Sequence, residues 1–437
     1  MRTSIALTIY VSVVVGMSPA DSFAEGLLAG GQAESEWTTV YDAGMAASRR
    51  HNYQESRDLF ERSWEISRTA EEKGASADCL GQVYQRLDRV KEAKEWLDRA
   101  RQAFGADPRL GSQLAFTTAA LADLYRATGD YPAAERILRE TLGSPLSEAE
   151  SRMSDADSKG LLRNNLADLL REEGRNSEAQ PLFKESIAVR AISWKQRVAA
   201  LIGLADIDRQ KGYREASVSQ WNEALEICRR ERDRRAEAVA RRGLGLTWLT
   251  SGEAARAEPL LRRSLRIVED DTDMPPEQVA SAHSSLAELY RSENKLALAE
   301  DEWSRALRID QTALGETHPQ VAVLMEMLSD VYSARGEFRL AREYATRASE
   351  AMNTSFGENS MPAAAALANR ATVEQRASSL DAAAKDYERA VGIARIHPEH
   401  RSLQVAIIQR YADLLKAMHR PREAKALATE VRLYRAK

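Results

Sequence analysis

The chain has 437 residues, 43% of them hydrophobic and 29% charged, so it is long enough for several packed units and too apolar to be disordered by composition. Its 62 basic and 66 acidic residues leave a net charge of −4, which excludes the strong basic footprint of a nucleic-acid or anionic-lipid binder. Only 22 glycines and 12 prolines interrupt a sequence dominated by Ala, Leu, Glu and Arg, a mixture that favours helix throughout.

Residues 1–24 read as a secretory signal peptide. Arg2 supplies a short positive start, and Ile5 to Met17 form an apolar run shorter than the roughly 20 residues of a spanning helix. Ser22-Phe23-Ala24 before Glu25 is one cleavage site and Ser18-Pro19-Ala20 a second, with an uncleaved anchor as the alternative. No cysteine follows the run, so a lipoprotein is not expected. Segment 25–36 (EGLLAGGQAESE) reads as a flexible leader. These features predict an exported bacterial protein, periplasmic or secreted. No later stretch is apolar enough to span a membrane.

From residue 37 to 437 one pattern recurs, most clearly over 75–352. LADLYRATGDYPAAERILRETL (Leu121 to Leu142), LADLLREEGRNSEAQPLFKESI (Leu166 to Ile187) and LAELYRSENKLALAEDEWSRAL (Leu286 to Leu307) are clear copies. Each has a Leu, a small residue beside it, a large apolar residue, a turn, then Ala and a second large apolar residue. The small residue falls at Gly44, Gly81, Ala122, Ala167, Ala205, Gly245, Ala287, Ser329, Ala371 and Ala412, at intervals of 37 to 45 residues. The spacing predicts ten helix–turn–helix units. Leu and the large residue four on share a helix face, and the small residue lets the second helix approach. Gly129, Gly174, Gly212, Gly252 and Gly336 fall where a left-handed residue closes the first helix. Such a pair cannot bury its apolar face alone, so the pairs must stack. The longest interval leaves 142–159 as an extended polar loop. In the ninth copy Arg370 and Glu374 replace the expected Leu and large apolar residue, so that repeat is expected to pack less well.

These residues resemble the tetratricopeptide repeat family. The period near 42, the linker ALGETHPQVA (Ala313 to Ala322) and Asn-Asn-Leu-Ala at Asn164 to Ala167 are similar to its kinesin light chain-like subclass. The resemblance implies an all-α fold, an α-α superhelical solenoid of about ten helix–turn–helix repeats. It also implies a concave groove lined by the first helices, accepting a protein or peptide partner.

The residue after the small position is acidic at Asp123, Asp168, Asp206, Glu288, Asp330 and Asp413. A base follows three residues later at Arg126, Arg171, Arg209, Arg291 and Lys416. On a helix these are neighbours, so stacked repeats align an acidic row beside a basic row. Such pairs serve either as solvated surface salt bridges or as a groove for a mixed-charge segment, with Asn164 and Asn165 as backbone donors and acceptors. Copy six breaks both rows with Leu246 and Leu249.

No Walker loop, dinucleotide glycine pattern, Gly-x-Ser-x-Gly elbow or His-Glu-x-x-His occurs, so no catalytic residue, cofactor or metal is expected. His397 and His400 flank a proline in a linker without further ligands nearby. Cys79 and Cys228 lie in different predicted helices and suggest no metal pair or disulfide. Trp64, Trp96, Trp221 and Trp303 fall at or beside core positions of second helices. The expectation is a non-catalytic exported scaffold, with two rivals. One is a membrane-tethered regulatory adaptor. The other is an accessory subunit of an envelope enzyme or of a secretion or assembly complex.

Overall fold

The structure is a computed structural model that describes residues 35–87, 89–143, 152–397 and 400–436. Residues 1–24, read above as a signal peptide, and nearly all of the segment read as a leader lie outside the described residues. Within the described residues there are twenty α-helices and no strand. They are α1 (Glu36–Arg49), α2 (Tyr53–Ile66), α3 (Ala70–Arg86), α4 (Val90–Gly105), α5 (Gly111–Ala127), α6 (Tyr131–Gly143), α7 (Arg152–Glu172), α8 (Asn176–Ala188), α9 (Trp194–Gln210) and α10 (Arg214–Arg230). There follow α11 (Arg234–Thr250), α12 (Ala254–Glu269), α13 (Pro276–Ser292), α14 (Leu296–Leu314), α15 (Pro319–Ala334), α16 (Phe338–Phe356), α17 (Met361–Arg376), α18 (Leu380–Arg395), α19 (Arg401–Ala417) and α20 (Pro421–Ala436). Odd numbers are first helices and even numbers second helices of ten pairs. The extended loop expected over 142–159 is shorter than that, because α6 runs to Gly143 and α7 already begins at Arg152.

The chain divides into two compact units, one up to Gly243 and one from Leu244. Each is an α-solenoid segment. Helix α11 straddles the division, its residues up to Gly243 belonging to unit 1.

The pairing follows from a fixed register. Sixteen residues after eight of the ten small residues, the second helix presents a large side chain, and Phe60, Leu97, Leu138, Phe183, Trp221, Leu261, Trp303 and Tyr387 are all fully buried; Ala345 and Ala428 stand there in the other two. A Cβ on Gly44 would stand 2.8 Å from the Phe60 ring, and one on Gly81 2.5 Å from Leu97 Cγ. The small residue is therefore the socket for the next helix's largest side chain. Each such burial stabilises by about 1.5–3 kcal/mol. A second socket lies two residues earlier in two copies. A Cβ on Gly203 would meet the Phe183 ring at 2.2 Å, and one on Gly243 the Trp221 ring at 2.2 Å, so these glycines seat the aromatic of the preceding repeat. Trp64 and Trp96 are only partly buried and meet edge to face, 5.4 Å apart.

Seven residues after the small position, the backbone turns left-handed in every described copy. The five expected glycines have φ between 76° and 79°, and His51, Asn294, Ser378 and His419 adopt 57° to 61° at the same place. Second helices α14 and α16 end on Gly315 and Gly357, also at positive φ. First helices start on side-chain caps. Ser35 Oγ accepts from Thr38 N, Thr69 and Glu72 form a reciprocal capping box, and His318 Nδ1 accepts from Gln320 N ahead of Pro319.

Candidate functional site: the first-helix wall

Within each unit, successive first helices touch one another: α5 meets α7 and α7 meets α9 in unit 1, and α15 meets α17 and α17 meets α19 in unit 2. Among the described residues no comparable contact joins successive second helices. The first-helix layer is thus the shorter, inner side of each stack. The acidic and basic rows lie on it.

In unit 1 the rows form close pairs. Asp123 accepts from Arg126 at 3.0 Å, Asp168 from Arg171 at 2.9 Å, and Asp206 from Arg209 at 3.1 Å. Arg126 also reaches Glu172 of α7 at 3.4 Å, crossing between repeats. These are not ordinary surface pairs, because the Arg171 side chain is only 4% exposed and those of Arg126, Arg209 and Asp206 are largely covered. Asp168 and Asp206 hold the Arg171 guanidinium above its usual range despite its burial. Asn164 is buried in the middle of the wall. Its Nδ2 donates to the Gln196 backbone carbonyl and Oε1 at 2.9 and 3.1 Å, while its Oδ1 has no donor. Asn165 is half-buried beside it. The structure therefore brings Asp123, Arg126, Asn164, Asn165, Asp168, Arg171, Asp206 and Arg209 onto one wall.

Unit 2 places its members differently. Arg291 donates to Glu288 at 2.9 Å, with both side chains about one-third exposed. Lys416 and Asp413 form an exposed pair at 2.9 Å. Asp330, which lacks a base three residues on, meets Arg376 of α17 at 3.6 Å. A polar chain then crosses three first helices. Asn369 of α17 donates to Glu326 of α15 at 3.0 Å, and Arg410 of α19 donates to Asn369 Oδ1 at 3.1 Å. Burial pushes the Glu326 carboxyl up to about 7, against the pull of Asn369 and Arg410.

Three wall residues, Asp78, Arg242 and Glu326, escaped the sequence reading. Three positions before the small residue they share a column with Asn164, where other copies have Tyr41, Ala119, Ile202, Ser284, Ala368 and Gln409. Asp78 is fully supplied, by Thr117 Oγ1 at 2.7 Å and Gln82 Nε2 at 2.6 Å. Arg242 is buried, with neither a hydrogen bond nor an ion pair among the described residues. The available signal was a charge at a column that other copies fill with uncharged residues.

Among the described residues no three His, Cys, Asp or Glu side chains converge as metal ligands, and no helix is long and apolar enough to cross a membrane. His397 Nε2 contacts the Asn359 carbonyl oxygen at 2.7 Å, and both cysteines are buried free thiols.

Tetratricopeptide repeat profiles match residues 74–144, 161–192 and 278–354. Within those residues the chain carries tetratricopeptide repeats, which generally serve protein–protein interaction. Among solved structures it is similar to BtubC (BKLC) from P. vanneervenii, at 22% identity over 51% of this chain and 91% of that one, with a TM-score of 0.47. It is also similar to a kinesin light chain-like repeat protein of Podosopora anserina, at 18% identity over 45% of this chain and 94% of that one, with a TM-score of 0.40. No curated protein matches the chain.

Proposed function

We propose that this protein is a non-catalytic exported scaffold that holds a segment of a partner protein along the first-helix wall of unit 1. The observation that carries this reading is the covered ladder of Asp168–Arg171 and Asp206–Arg209 pairs beside Asn164, whose Oδ1 has no donor. Solvated helix-surface pairs contribute little to stability. Charged pairs sunk in a wall cost desolvation, and a bound segment offers them a return through charge-assisted hydrogen bonds. Export is supported by Arg2, the apolar run Ile5 to Met17 and the small residues Ser22 and Ala24.

The test is photo-cross-linking of the chain in the native envelope beside a variant carrying Asp168→Lys, Arg171→Glu, Asp206→Lys and Arg209→Glu, with circular dichroism confirming that the variant folds. A partner captured by the native wall and lost from the reversed one supports the reading. Equal capture by both ends it. Fractionation with the mass of the mature N-terminus decides between a cleaved exported chain and the membrane-tethered adaptor.

A further inference from the structure

The chain's net charge of −4 averages away one edge of unit 1 where bases collect. Two stretches of sequence carry them. Residues 189–197 hold Arg190, Lys195 and Arg197 and no acid. Residues 228–236 hold Arg229, Arg230, Arg232, Arg234 and Arg235, with Glu231 and Asp233 between them. The fold sets the two stretches side by side. The first leads into the start of α9, and the second runs from the end of α10 to the start of α11. Helices α9 and α10 are an antiparallel pair of 17 residues each, joined at Gly212, so Trp194 at the start of one stands level with Arg230 at the end of the other.

Along this edge eight bases meet Glu231 and Asp233. Glu231 accepts from Arg230 at 2.9 Å, and Asp233 caps α11 by accepting from Ala236 N at 2.9 Å. Asp157 adjoins the edge through Ser193 N, Glu237 through Arg229, and Glu226 along α10. With these included, bases still outnumber acids eight to five. The excess reaches solvent. Side chains of Arg229 and Arg230 are 54% and 68% exposed, and Arg190, Arg232, Arg234 and Arg235 are exposed with them. Arg234 and Arg235 open α11 at the positive end of its dipole, where a cation costs helix stability. Trp194 lies half-buried among these bases, with Lys195 Nζ 5.7 Å from its ring centroid. An aromatic ring with an apolar body and one N–H suits the level of lipid headgroups.

We propose that this edge docks on an anionic phospholipid surface, its arginines meeting lipid phosphates and Trp194 sitting at headgroup level. Arginine forks pair well with phosphate oxygens, and bases on exposed helix ends reach a flat surface without needing a groove. Docking here leaves the first-helix wall open. Asp206 lies 12 residues along α9 from Trp194, about 18 Å away. The edge is therefore separate from the partner site proposed above, and failure of one reading leaves the other standing.

The test floats the full chain with vesicles of phosphatidylcholine alone and of phosphatidylcholine with about one-third phosphatidylglycerol, and takes the ratio of the two partition coefficients. Wild type is compared with an edge triple, Arg190→Gln with Arg230→Gln and Arg232→Gln. A control triple removes the same charge from unit 2, through Arg339→Gln, Arg422→Gln and Lys425→Gln. All six positions are exposed, and circular dichroism confirms that both triples fold. Arg2 and the apolar run Ile5 to Met17 are common to the three proteins, so their contribution cancels in the comparison. Each base near an anionic surface contributes about fivefold. Wild type should prefer the anionic vesicles at least about thirtyfold at low salt and lose that preference at high salt. The edge triple should lose at least about tenfold of the preference, and the control triple less than about threefold. Equal partitioning of wild type onto both vesicles, or equal losses in the two triples, overturns the proposal. In the first case, fluorescein-labelled hexaglutamate that binds wild type and not the edge triple assigns the edge to an acidic protein instead.

Discussion

Arg370 of α17 forks onto Asp386 of α18, with Nε at 2.7 Å from one carboxylate oxygen and Nη2 at 2.6 Å from the other. This pair stands where a Leu was expected, and a second polar replacement is settled in the same way. Glu374 accepts two bonds from Arg342 Nε of α16, at 3.0 and 2.9 Å. The ninth repeat still buries Tyr387 completely against Ala371 at its small position. It has exchanged apolar rim contacts for two charged clasps, one within the repeat and one to its predecessor. Asp386→Ala strands a partly buried guanidinium and is expected to destabilise by about 2 kcal/mol. The double change Arg370→Leu with Asp386→Leu is expected to be near neutral. Hydrogen exchange of α17 and α18 in the full chain reads both, and equal losses in the single and double variants would refute the clasp.

The left-handed turn residues give a second expectation. Ser378 and His419 are exposed and hold φ of 61° and 57°, a conformation that strains an L-residue by about 1–2 kcal/mol. Ser378→Gly and His419→Gly should each gain about 0.5 kcal/mol, because glycine's greater freedom in the unfolded chain returns part of the relief. Asn294→Gly should gain less, since asparagine tolerates this region better. Gly129→Ala should lose about 1 kcal/mol although a Cβ there meets nothing within 4 Å, which makes the cost one of backbone alone. Denaturant midpoints across the four variants check the ranking.

The same turns show what was legible in the sequence. Five glycines marked five turns, yet His51, Asn294, Ser378 and His419 hold the same place with no compositional signature. Only the register of the small residue finds them. Repeat number and helix order were readable because every copy carries the same local signal. The acid–base rows were readable for the same reason. Arg242 was not, because its meaning depends on what its neighbours fail to provide. Spacing along one helix shows that no acid stands nearby, but only the stacked helices show that Asp206 is already taken by Arg209. The division at Gly243 likewise has no turn, proline or polar run to mark it, since it falls inside α11.

Gly203 offers a test of the second socket. Its position is two residues before the small Ala205, and the Phe183 ring of the preceding repeat occupies the space a Cβ would fill. Phe183 is fully buried, so the ring cannot swing outward without opening the joint between α8 and α9. Gly203→Ala is expected to destabilise by about 1–3 kcal/mol through overpacking. Adding Phe183→Leu should recover part of that loss, because the shorter side chain vacates the socket. The pair of midpoints is the measurement. A Gly203→Ala variant as stable as wild type would mean that the stack shifts freely at this joint.

Asp310 carries the last prediction. It occupies a core position of α14, 23 residues after Ala287, where the corresponding residues in other copies include Cys228, Val268, Met352 and Ala394. It is 5% exposed, and its Oδ1 has no donor. Burial, and secondarily the Glu277 carboxylate, push its carboxyl up to about 7, against about 3.9 in an unfolded chain. A raised carboxyl pKa means that the folded state binds more protons between those values. Stability from this group therefore falls as pH rises from about 4 to 7 and is constant above. Burial lowers the pKa of His318 at the start of α15, which acts in the opposite sense just below about pH 6.5, so the comparison is best made as a difference. Asp310→Asn removes the titration, keeps the shape and supplies an N–H donor. Its stability relative to the wild type should rise from about pH 4 to pH 7 and level off above, as read by urea midpoints of the full chain and by hydrogen exchange in α14. A wild-type minus variant difference that stays flat across that range would place the Asp310 proton elsewhere.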